Sequence, residues 1–342
     1  MARLLPALII FAIVVAPAHG QLDIPDVPPG ELAQPQVEPE VLTRGPVHEA
    51  FAELIAGDPL PGLIVQDAPP EPIDEVPPEF RPEGDNVVWI PGYWWFDEEA
   101  SEYLWVSGVW RAIPPDQRWV AGYWHEVDGG FQWVSGFFSN VAVDNLVYQA
   151  PPPASLDNGP TVPAPSVEHF WSPGYWDTDY RWHAGYWQPY QDNRVWIPSR
   201  WVMTPHGCVF VPGHWDYDLP NRGQLFAPIR FRQPWRPGFV YRPTCAIQAP
   251  LLSMHLFVRP LRRTYYFGDW YDECNTLPIY TYSRFHTRRI GYCPIYAQNR
   301  ARYARRGVNL SVRLDGWFRY YSTNRTYRPR RTFTAQRSFA RQ

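Results

Sequence analysis

The stretch "RWVAGYWHEVDGGFQWVSGFF", Arg118–Phe138, contains one six-residue figure twice, with fourteen residues from one start to the next. In both copies, Trp119–Trp124 and Trp133–Phe138, two large aromatic residues flank a glycine in the order Trp-x-x-Gly-x-(Trp/Phe). Aromatic and β-branched residues favour strands, and the Asp-Gly-Gly between the copies favours a hairpin turn. The stretch therefore predicts two antiparallel strands, one from each copy.

The same figure recurs on both sides of this stretch, in two series with starts 11 to 16 residues apart. A repeat at such a period indicates an array of one supersecondary unit. We predict an all-β fold: an antiparallel meander of about nine repeat strands in two blocks, with a disordered N-terminal arm and C-terminal tail. The copies are Trp89–Trp94, Trp105–Trp110, Trp119–Trp124, Trp133–Phe138, Trp171–Trp176, Trp182–Trp187, Trp196–Trp201, Phe210–Trp215 and a decayed ninth, Phe226–Phe231.

The two aromatic rings of each copy are predicted to share one face of the strand. In a regular strand, positions one and six of the hexad point to opposite faces. A β-bulge at positions three and four, such as Ala121-Gly122, brings both rings to one side. Glycine tolerates the unusual φ of a bulge and leaves space for a ring from the adjacent strand. The alternative is a tight Pro-Gly turn inside each hexad, which doubles the number of strands.

Paired and buried, the repeat aromatics would form the core, since each ring buries ~150–250 Å² and edge-to-face pairs add ~0.5–1.5 kcal/mol. The predicted core tryptophans are Trp89, Trp94, Trp105, Trp110, Trp119, Trp124, Trp133, Trp171, Trp176, Trp182, Trp187, Trp196, Trp201 and Trp215. The predicted repeat glycines are Gly92, Gly108, Gly122, Gly136, Gly174, Gly185 and Gly213.

The hexads resemble the YXWGXW, or WXXGXW, repeat family of exported bacterial proteins, and the planctomycete members in particular. The resemblance covers roughly Pro82 to Phe231, and "YYFGDWYD" (Tyr265–Asp272) is similar to it as well. The chain departs from the pattern at Ser199, at Phe137-Phe138 and at the ninth copy. The resemblance implies an exported repeat protein, and it carries over no functional residue.

The N-terminus has the pattern of a signal peptide, predicted at 1–20. Arg3 precedes an apolar run from Leu4 to Val15, which is short of the ~20 residues that a bilayer core needs, and Ala18-His19-Gly20 offers a cleavage site. An acidic, proline-rich arm follows at 21–86, with one short helix near 47–56, where apolar residues recur at helical spacing.

The rest of the chain divides by composition. We predict repeat block 1 at 87–148, a proline-rich linker at 149–166 and repeat block 2 at 167–232. A basic, aromatic region with the cysteines follows at 233–323, and a disordered, arginine-rich tail at 324–342.

The net charge of −3 hides a strong asymmetry between the halves. Residues 21–220 hold seven Arg against thirty acidic residues, whereas residues from 221 onward hold twenty-three Arg against four. The basic half is either a polyanion-binding surface or a partner for the acidic half, within one chain or between copies. The candidate polyanion residues are Arg288, Arg289, Arg302, Arg305 and Arg306.

The chain offers few residues for chemistry. Cys208, Cys245, Cys274 and Cys293 have no C-x-x-C spacing, and export favours one or two structural disulfides among them. The chain has no H-E-x-x-H, EF-hand, G-x-S-x-G or phosphate-loop motif, so we expect neither an enzyme nor a cofactor. No metal site is predicted, and Asp216 and Asp218 are the best candidates if that is wrong.

These observations predict an exported, non-enzymatic protein with a structural or adhesive role at the cell envelope. Its location would be the periplasm, the cell surface or the medium. The first alternative is a carbohydrate- or wall-binding module that uses exposed Trp faces. The second is a polyanion binder that uses the Arg/Tyr-rich C-terminal region. Partners would be an envelope polymer, an acidic protein surface or a second copy, and export argues against nucleic acid.

Overall fold

The computed structural model describes residues 38–55, 57–232, 239–288 and 291–340. The predicted signal peptide, residues 21–37 of the predicted arm and Arg289 lie outside the described residues. Strands dominate the described chain, and their pairings are antiparallel apart from that of Val240–Tyr241 with Asp74–Glu75.

The described residues before and within the repeats form twenty-three strands. They are β1 (Glu40–Val41), β2 (Gly45–Pro46), β3 (Ile64–Val65), β4 (Asp74–Glu75), β5 (Val87–Ile90), β6 (Tyr93–Asp97), β7 (Glu102–Val106), β8 (Val109–Ala112), β9 (Arg118–Val120), β10 (Tyr123–Val127), β11 (Gly130–Val134), β12 (Phe137–Ser139), β13 (Tyr148–Gln149), β14 (His169–Ser172), β15 (Tyr175–Trp176), β16 (Trp182–His183), β17 (Tyr186–Pro189), β18 (Arg194–Ile197), β19 (Arg200–Thr204), β20 (Gly207–Val211), β21 (His214–Tyr217), β22 (Gly223–Phe226) and β23 (Ile229–Arg230).

The C-terminal region combines short strands with five α-helices, so the all-β prediction describes the repeats but not this region. Its elements are β24 (Val240–Tyr241), β25 (Ala246–Ile247), α1 (Ala249–Met254), β26 (Leu256–Arg259), β27 (Thr264–Phe267), β28 (Tyr280–Thr281), α2 (Tyr282–Thr287), α3 (Pro294–Ala304), α4 (Leu310–Thr323) and α5 (Phe333–Ala340). Short 3-10 helices lie at Val143–Asn145, Leu219–Asn221, Pro260–Arg262, Glu273–Asn275 and Arg325–Tyr327.

Each hexad is divided between two strands, and two successive hexads pair into one interrupted ribbon. In the first ribbon Ile90 lies opposite Val109 and Tyr93 opposite Val106, so two residues on each side are unpaired. The numbers are equal, so neither strand holds the extra residue of a bulge, and the predicted bulge is wrong. The alternative correctly predicted twice as many strands. The pairing register is nevertheless the same on both sides of the break.

Four such ribbons contain the eight full copies: ribbon 1 (87–112), ribbon 2 (118–139), ribbon 3 (169–189) and ribbon 4 (194–217). Successive copies are antiparallel within a ribbon, as predicted. Within the described ranges no strand ladder joins one ribbon to the next, so the copies pair two by two instead of forming one meander. The ninth copy supplies β22 and β23, which extend β8 and β7 of ribbon 1.

A proline-rich segment, strap 1 (residues 67–77), runs along ribbon 1 and accepts hydrogen bonds from its rings. The Tyr103 hydroxyl donates to the Asp67 carbonyl at 2.8 Å. The Trp94 indole N–H donates to the Glu71 carbonyl at 2.9 Å. Most of the predicted arm is therefore ordered, since residues 38–55 and 57–86 belong to the described fold.

The predicted linker repeats this arrangement as strap 2 (residues 150–160) on ribbon 3. The Tyr180 hydroxyl donates to the Ala150 carbonyl at 2.7 Å, and the Trp176 indole N–H to the Ala154 carbonyl at 3.1 Å. Both straps thus place their acceptors four residues apart. The sequences correspond as well, "APPEPIDEVP" (68–77) with "PPPASLDNGP" (151–160).

The ribbons also pack on each other in the same way twice. The Trp124 indole N–H of ribbon 2 donates to the Trp94 carbonyl of ribbon 1 at 2.9 Å. The Trp201 indole N–H of ribbon 4 donates to the Trp176 carbonyl of ribbon 3 at 2.8 Å. One short strand (β3 or β13), one strap and two ribbons therefore form a unit that occurs twice. Module 1 is residues 64–139, and module 2 is residues 148–217.

Residues 47–55 do not form the short helix predicted near 47–56. Residues 45–55, here named the central segment, are largely buried and extended. Its only helical feature is one turn, in which the Ala52 N–H donates to the His48 carbonyl at 3.2 Å. The Val47 N–H instead donates to the Tyr265 carbonyl at 2.8 Å, because β2 pairs with β27. The helix prediction failed because β27 and buried arginine side chains satisfy backbone groups of this segment.

The predicted disordered tail is wrong for residues 324–340. Arg328 is buried, with Asp272 at 2.9 Å and Asp269 at 3.4 Å, and its Nε donates to the Tyr321 carbonyl. The Thr43 hydroxyl donates to the Arg330 carbonyl, and Leu42 forms a β-bridge with Thr332. Acidic side chains of the C-terminal region anchor the tail, which composition alone does not reveal.

A buried ion cluster joins the central segment to both modules. Asp216 lies between two guanidinium groups, Arg111 at 2.6 Å and Arg222 at 2.9 Å, and all three side chains are almost fully buried. The arginines in turn donate to the central segment: Arg111 Nε to the Ala50 carbonyl at 2.6 Å and Arg222 Nη1 to the Phe51 carbonyl at 2.7 Å. The nearby arginines hold the pKa of Asp216 below its usual range although burial alone would raise it.

We predict that Asp216→Ala lowers the free energy of unfolding by about 3–5 kcal/mol, because it leaves two buried guanidinium groups without a counter-charge. Urea unfolding monitored by circular dichroism measures the change. The control is Glu168→Ala, which removes the surface ion pair with Arg305 and should cost no more than about 1 kcal/mol. Equal effects of the two substitutions would contradict the central role of the cluster.

Candidate functional site

Facing aromatic residues in every ribbon pack edge to face or tilted, with centroids 5.0–5.5 Å apart. All fourteen predicted core tryptophans are buried or half-buried. Where a copy has Phe in place of Trp, the pair is kept, so this departure changes the ring but not the packing. The pairs are Trp89–Trp110, Trp94–Trp105, Trp119–Phe138, Trp124–Trp133, Trp171–Trp187, Trp176–Trp182, Trp196–Trp215 and Trp201–Phe210.

The repeat glycines are required for close approach of a ring. A Cβ on Gly108 would lie 2.5 Å from Cζ2 of Trp89, and one on Gly122 2.6 Å from Cζ2 of Trp133. None of the seven repeat glycines has a positive φ, so the predicted unusual backbone conformation is wrong. The predicted space for a ring of the adjacent strand is confirmed, since each of the seven glycines is covered by the first ring of the facing hexad.

The breaks in ribbons 1 and 2 expose backbone N–H groups that buried glutamates satisfy. Glu75 of strap 1 accepts from the Gly92 N–H at 2.8 Å, the Gly108 N–H at 3.1 Å and the Trp105 indole at 3.1 Å. Glu49 of the central segment makes two of the equivalent contacts in ribbon 2, with the Trp133 indole and the Gly136 N–H. Sequence reasoning missed both residues.

A cleft between ribbons 1 and 2, here named cleft 1, is filled by the central segment. The Glu49 carboxylate accepts from the Trp133 indole at 3.0 Å and from the Gly136 N–H at 2.9 Å. The His48 ring lies 5.0 Å from that of Tyr93. Burial raises the pKa of Glu49 to about 7, against the effect of its two donors.

The corresponding cleft between ribbons 3 and 4, here named cleft 2, is an open cavity of about 250 Å³. It is lined at equivalent hexad positions by Ser172, Tyr175, Tyr186, Trp196, Ser199, Phe210, Pro212 and Gly213. Ser199, the departure from glycine, has a structural role here: its hydroxyl accepts from the Gly213 N–H at 2.8 Å, as Glu49 accepts from Gly136 in cleft 1.

The family model described as "WXXGXW repeat (2 copies)" matches residues 84–111, 115–136, 169–188 and 195–216. The chain contains WXXGXW repeats. Each matched range takes in two hexads and corresponds to one ribbon, so the sequence unit of the family model is the structural unit seen here. We found no match among proteins with curated descriptions or among solved structures.

The WXXGXW modules and the basic C-terminal region are joined by ion pairs within one chain. Arg305 pairs with Asp192 at 3.2 Å and Glu168 at 3.3 Å, and Arg302 lies 3.7 Å from Asp218. Similar contacts join the halves elsewhere: Arg230–Asp97, Arg230–Glu102, Arg232–Glu40, Arg242–Glu79, Arg259–Glu98 and Arg262–Glu98. Of the candidate polyanion residues, Arg288 and Arg306 are exposed and make no ion pair with other described residues.

The four cysteines are free thiols, so the predicted disulfides are not formed in this structure. Cys208 and Cys293 are buried, the latter in the main core cluster, and Cys245 and Cys274 are half-buried. The Cys293 sulfur lies 3.0 Å from the Tyr265 hydroxyl and accepts from the Tyr296 N–H at the start of α3. Burial raises the pKa of Cys293 to about 12, which makes it a poor nucleophile.

The described ranges contain no group of three or more His, Cys, Asp or Glu side chains placed to hold a metal ion. Asp216 is held in the ion cluster, and Asp218 accepts from Asn221. No helix within those ranges has the length and hydrophobicity to cross a membrane. Burial lowers the pKa of His48, His214 and His255 to about 4.

We predict that Gly108→Ala lowers the free energy of unfolding by at least about 1–3 kcal/mol, because the new methyl group would overlap the Trp89 ring. Thermal unfolding by circular dichroism gives the change. The control is Gly316→Ala in α4, where a Cβ would meet nothing within 4 Å. That substitution should stabilise the helix by up to about 1 kcal/mol. A neutral Gly108→Ala would contradict the ring-over-glycine packing.

We predict that His255 makes stability fall as the pH falls. Its pKa is about 4 in the folded protein and near 6.5 when unfolded, so between these values the unfolded state binds more protons. The contribution is complete above pH 6.5 and decreases by at most about 1.4 kcal/mol per pH unit below it. Urea unfolding at pH 7 and 5 should show a smaller loss for His255→Gln than for the unchanged protein. Identical losses would refute the assignment.

Proposed function

We propose that this is an exported, non-enzymatic WXXGXW repeat protein with a structural or adhesive role at the cell envelope. Export is supported by the signal-peptide pattern at 1–20 and by the resemblance of the hexads to those of exported bacterial proteins. Its place would be the periplasm, the cell surface or the medium. Its partners would be an envelope polymer, an acidic protein surface or a second copy of the chain.

The observation that carries this proposal is the use of the aromatic rings. All fourteen repeat tryptophans are at least half-buried and each faces a second ring across its ribbon. A ligand platform of Trp faces needs rings that are open to solvent, and these rings are occupied by folding. The rings therefore support the ribbons from within. The outer surface of the ribbons is what a structural or adhesive protein would offer to its surroundings.

The titratable groups support a non-enzymatic role. A catalytic acid or base needs access to substrate as well as a shifted pKa. Glu49 and Glu75 have raised pKa values because they are buried, but their oxygens are taken up by backbone and indole N–H donors. His48 is held against the Pro91 carbonyl at 3.1 Å. These groups serve the fold.

A second candidate function is polyanion binding by the C-terminal region. Arg288 and Arg306 are exposed and, among the described residues, have no acidic partner, unlike Arg302 and Arg305. Unpaired guanidinium groups on a surface attract anionic polymers, and salt weakens that attraction.

A pull-down on isolated envelope fractions at about 0.1 and 0.5 M salt separates the two functions. The structural or adhesive proposal predicts retention at both concentrations. Polyanion binding predicts retention that is lost at the higher concentration and in Arg288→Ala/Arg306→Ala. The matched control is Arg232→Ala/Arg242→Ala, since both arginines are exposed but already paired with Glu40 and Glu79. No retention at either concentration would count against both proposals.

A further inference from the structure

Cleft 1 and cleft 2 lie at equivalent positions in the two modules. Tyr175 in cleft 2 holds the hexad position of Tyr93, Trp196 that of Trp119, and Phe210 that of Trp133. Cleft 1 contains the chain's own residues His48 and Glu49. Cleft 2, in contrast, contains no other segment of the described chain and leaves about 250 Å³ open between the ribbons.

The lining of cleft 2, unlike that of cleft 1, is not suited to a carboxylate. The indole that donates to Glu49 in cleft 1 is replaced by Phe210, which has no N–H group. The backbone donor Gly213 is already satisfied by the Ser199 hydroxyl at 2.8 Å. The lining includes no charged side chain. An anionic occupant would therefore lose hydration without gaining a cationic partner or the N–H donors that Glu49 has in cleft 1.

The lining is equally unsuited to a peptide strand. In cleft 1 the central segment brings a carbonyl group, that of Ala50, which Arg111 satisfies at 2.6 Å. The equivalent position in ribbon 3 is Gln188, since Gln188 lies opposite Phe170 as Arg111 lies opposite Val88. Gln188 is shorter than arginine and uncharged, so the carbonyl of a bound strand would lose the charge-assisted donor that Arg111 provides in cleft 1.

The polar groups that remain in cleft 2 are hydroxyls held in place by fixed donors. The Ser172 oxygen accepts from the Trp196 indole at 2.9 Å, and the Ser199 oxygen accepts from the Gly213 N–H. Ser172 is also hydrogen-bonded to the Tyr186 hydroxyl. Each serine oxygen already accepts from a rigid N–H group, and one hydroxyl proton lies between Ser172 and Tyr186. The Ser199 proton and the other proton of the Ser172–Tyr186 pair therefore remain available to donate to a ligand.

Aromatic rings surround these hydroxyls. Tyr175 is fixed by His183, whose ring is stacked on it at 5.0 Å and 9°. Phe210 lies 5.9 Å from Tyr175 at an interplanar angle of 31°. Tyr186 is 42% exposed at the mouth of the cleft. Apolar ring faces with a few oriented hydroxyls, and no charge, suit a small neutral ligand that has both an apolar face and hydroxyl groups.

We propose that cleft 2 binds one neutral hexopyranose unit of a saccharide, with its C–H face on the aromatic rings and its hydroxyls on the Ser172, Ser199 and Tyr186 group. Binding needs no exposed Trp face and does not rest on the envelope role proposed above. With such a site the two modules have different roles: the cleft of module 1 holds the central segment, and the cleft of module 2 binds a ligand.

Isothermal titration of the full chain with chitotriose and maltotriose, each up to about 10 mM, tests the proposal. We expect at least one of them to bind, and Tyr186→Ala to weaken that binding at least tenfold. The matched control is Tyr123→Ala: Tyr123 holds position five of its hexad as Tyr186 does, is also 42% exposed, and lies outside cleft 2. It should leave the affinity unchanged, and circular dichroism should show both variants folded.

A second variant separates the site from general packing. Ser199→Gly restores the repeat glycine, which the other ribbons accommodate, and removes one hydroxyl from cleft 2. It should weaken saccharide binding while the protein remains folded. The proposal is overturned if neither trisaccharide binds, or if Tyr186→Ala and Tyr123→Ala bind alike. Tighter binding of a synthetic peptide of residues 45–53 than of either saccharide would also overturn it, because cleft 2 would then take a strand as cleft 1 does.

Discussion

The fold depends on the neutralisation of two buried guanidinium groups by one carboxylate. Arg111 belongs to ribbon 1 and Asp216 to ribbon 4, and Arg222 precedes the ninth copy. Together they satisfy carbonyl groups of the central segment, which is buried among the modules and the C-terminal region. An extended segment without a strand on both sides has unpaired backbone groups, and buried arginine is a donor that reaches them. Each guanidinium group requires a counter-charge in turn, which Asp216 provides.

A second physical constraint explains why proline-rich and tryptophan-rich segments occur side by side. An indole presents one N–H donor and no acceptor, so a chain with many buried tryptophans needs many acceptors. Proline has no N–H group, and an extended proline-rich backbone makes no internal hydrogen bonds. Its carbonyls are therefore free to accept without adding donors of their own. Straps 1 and 2 act in this way, as the contacts of Trp94 with Glu71 and of Trp176 with Ala154 show.

The two modules show how one architecture accommodates different residues at the same position. At the breaks of three ribbons a glycine N–H has an acceptor, which is Glu75 in ribbon 1, Glu49 in ribbon 2 and the Ser199 hydroxyl in ribbon 4. A glutamate must come from another segment, whereas the serine is part of the hexad itself. At the break of ribbon 4 the Ser199 hydroxyl thus takes the place of an acceptor from the central segment, and the cleft beside it is open.

The amino-acid sequence by itself determined the local features of the repeats. The period of the hexads, the antiparallel pairing of successive copies, and the pairing of aromatic rings follow from short-range patterns, which adjacent residues are sufficient to impose. For the charge asymmetry, attraction between the halves was one of the two interpretations that the sequence left open, and Arg305 with Asp192 is one such contact.

The tertiary structure alone decided where the non-repeat segments go. The central segment has apolar residues at helical spacing, yet it is extended because β27 and two arginines satisfy its backbone groups. The tail beyond residue 324 is low in apolar content, yet Arg328 is anchored by Asp269 and Asp272. Both outcomes depend on partners far away in the chain. Local propensity acts only between near neighbours, so it cannot specify them.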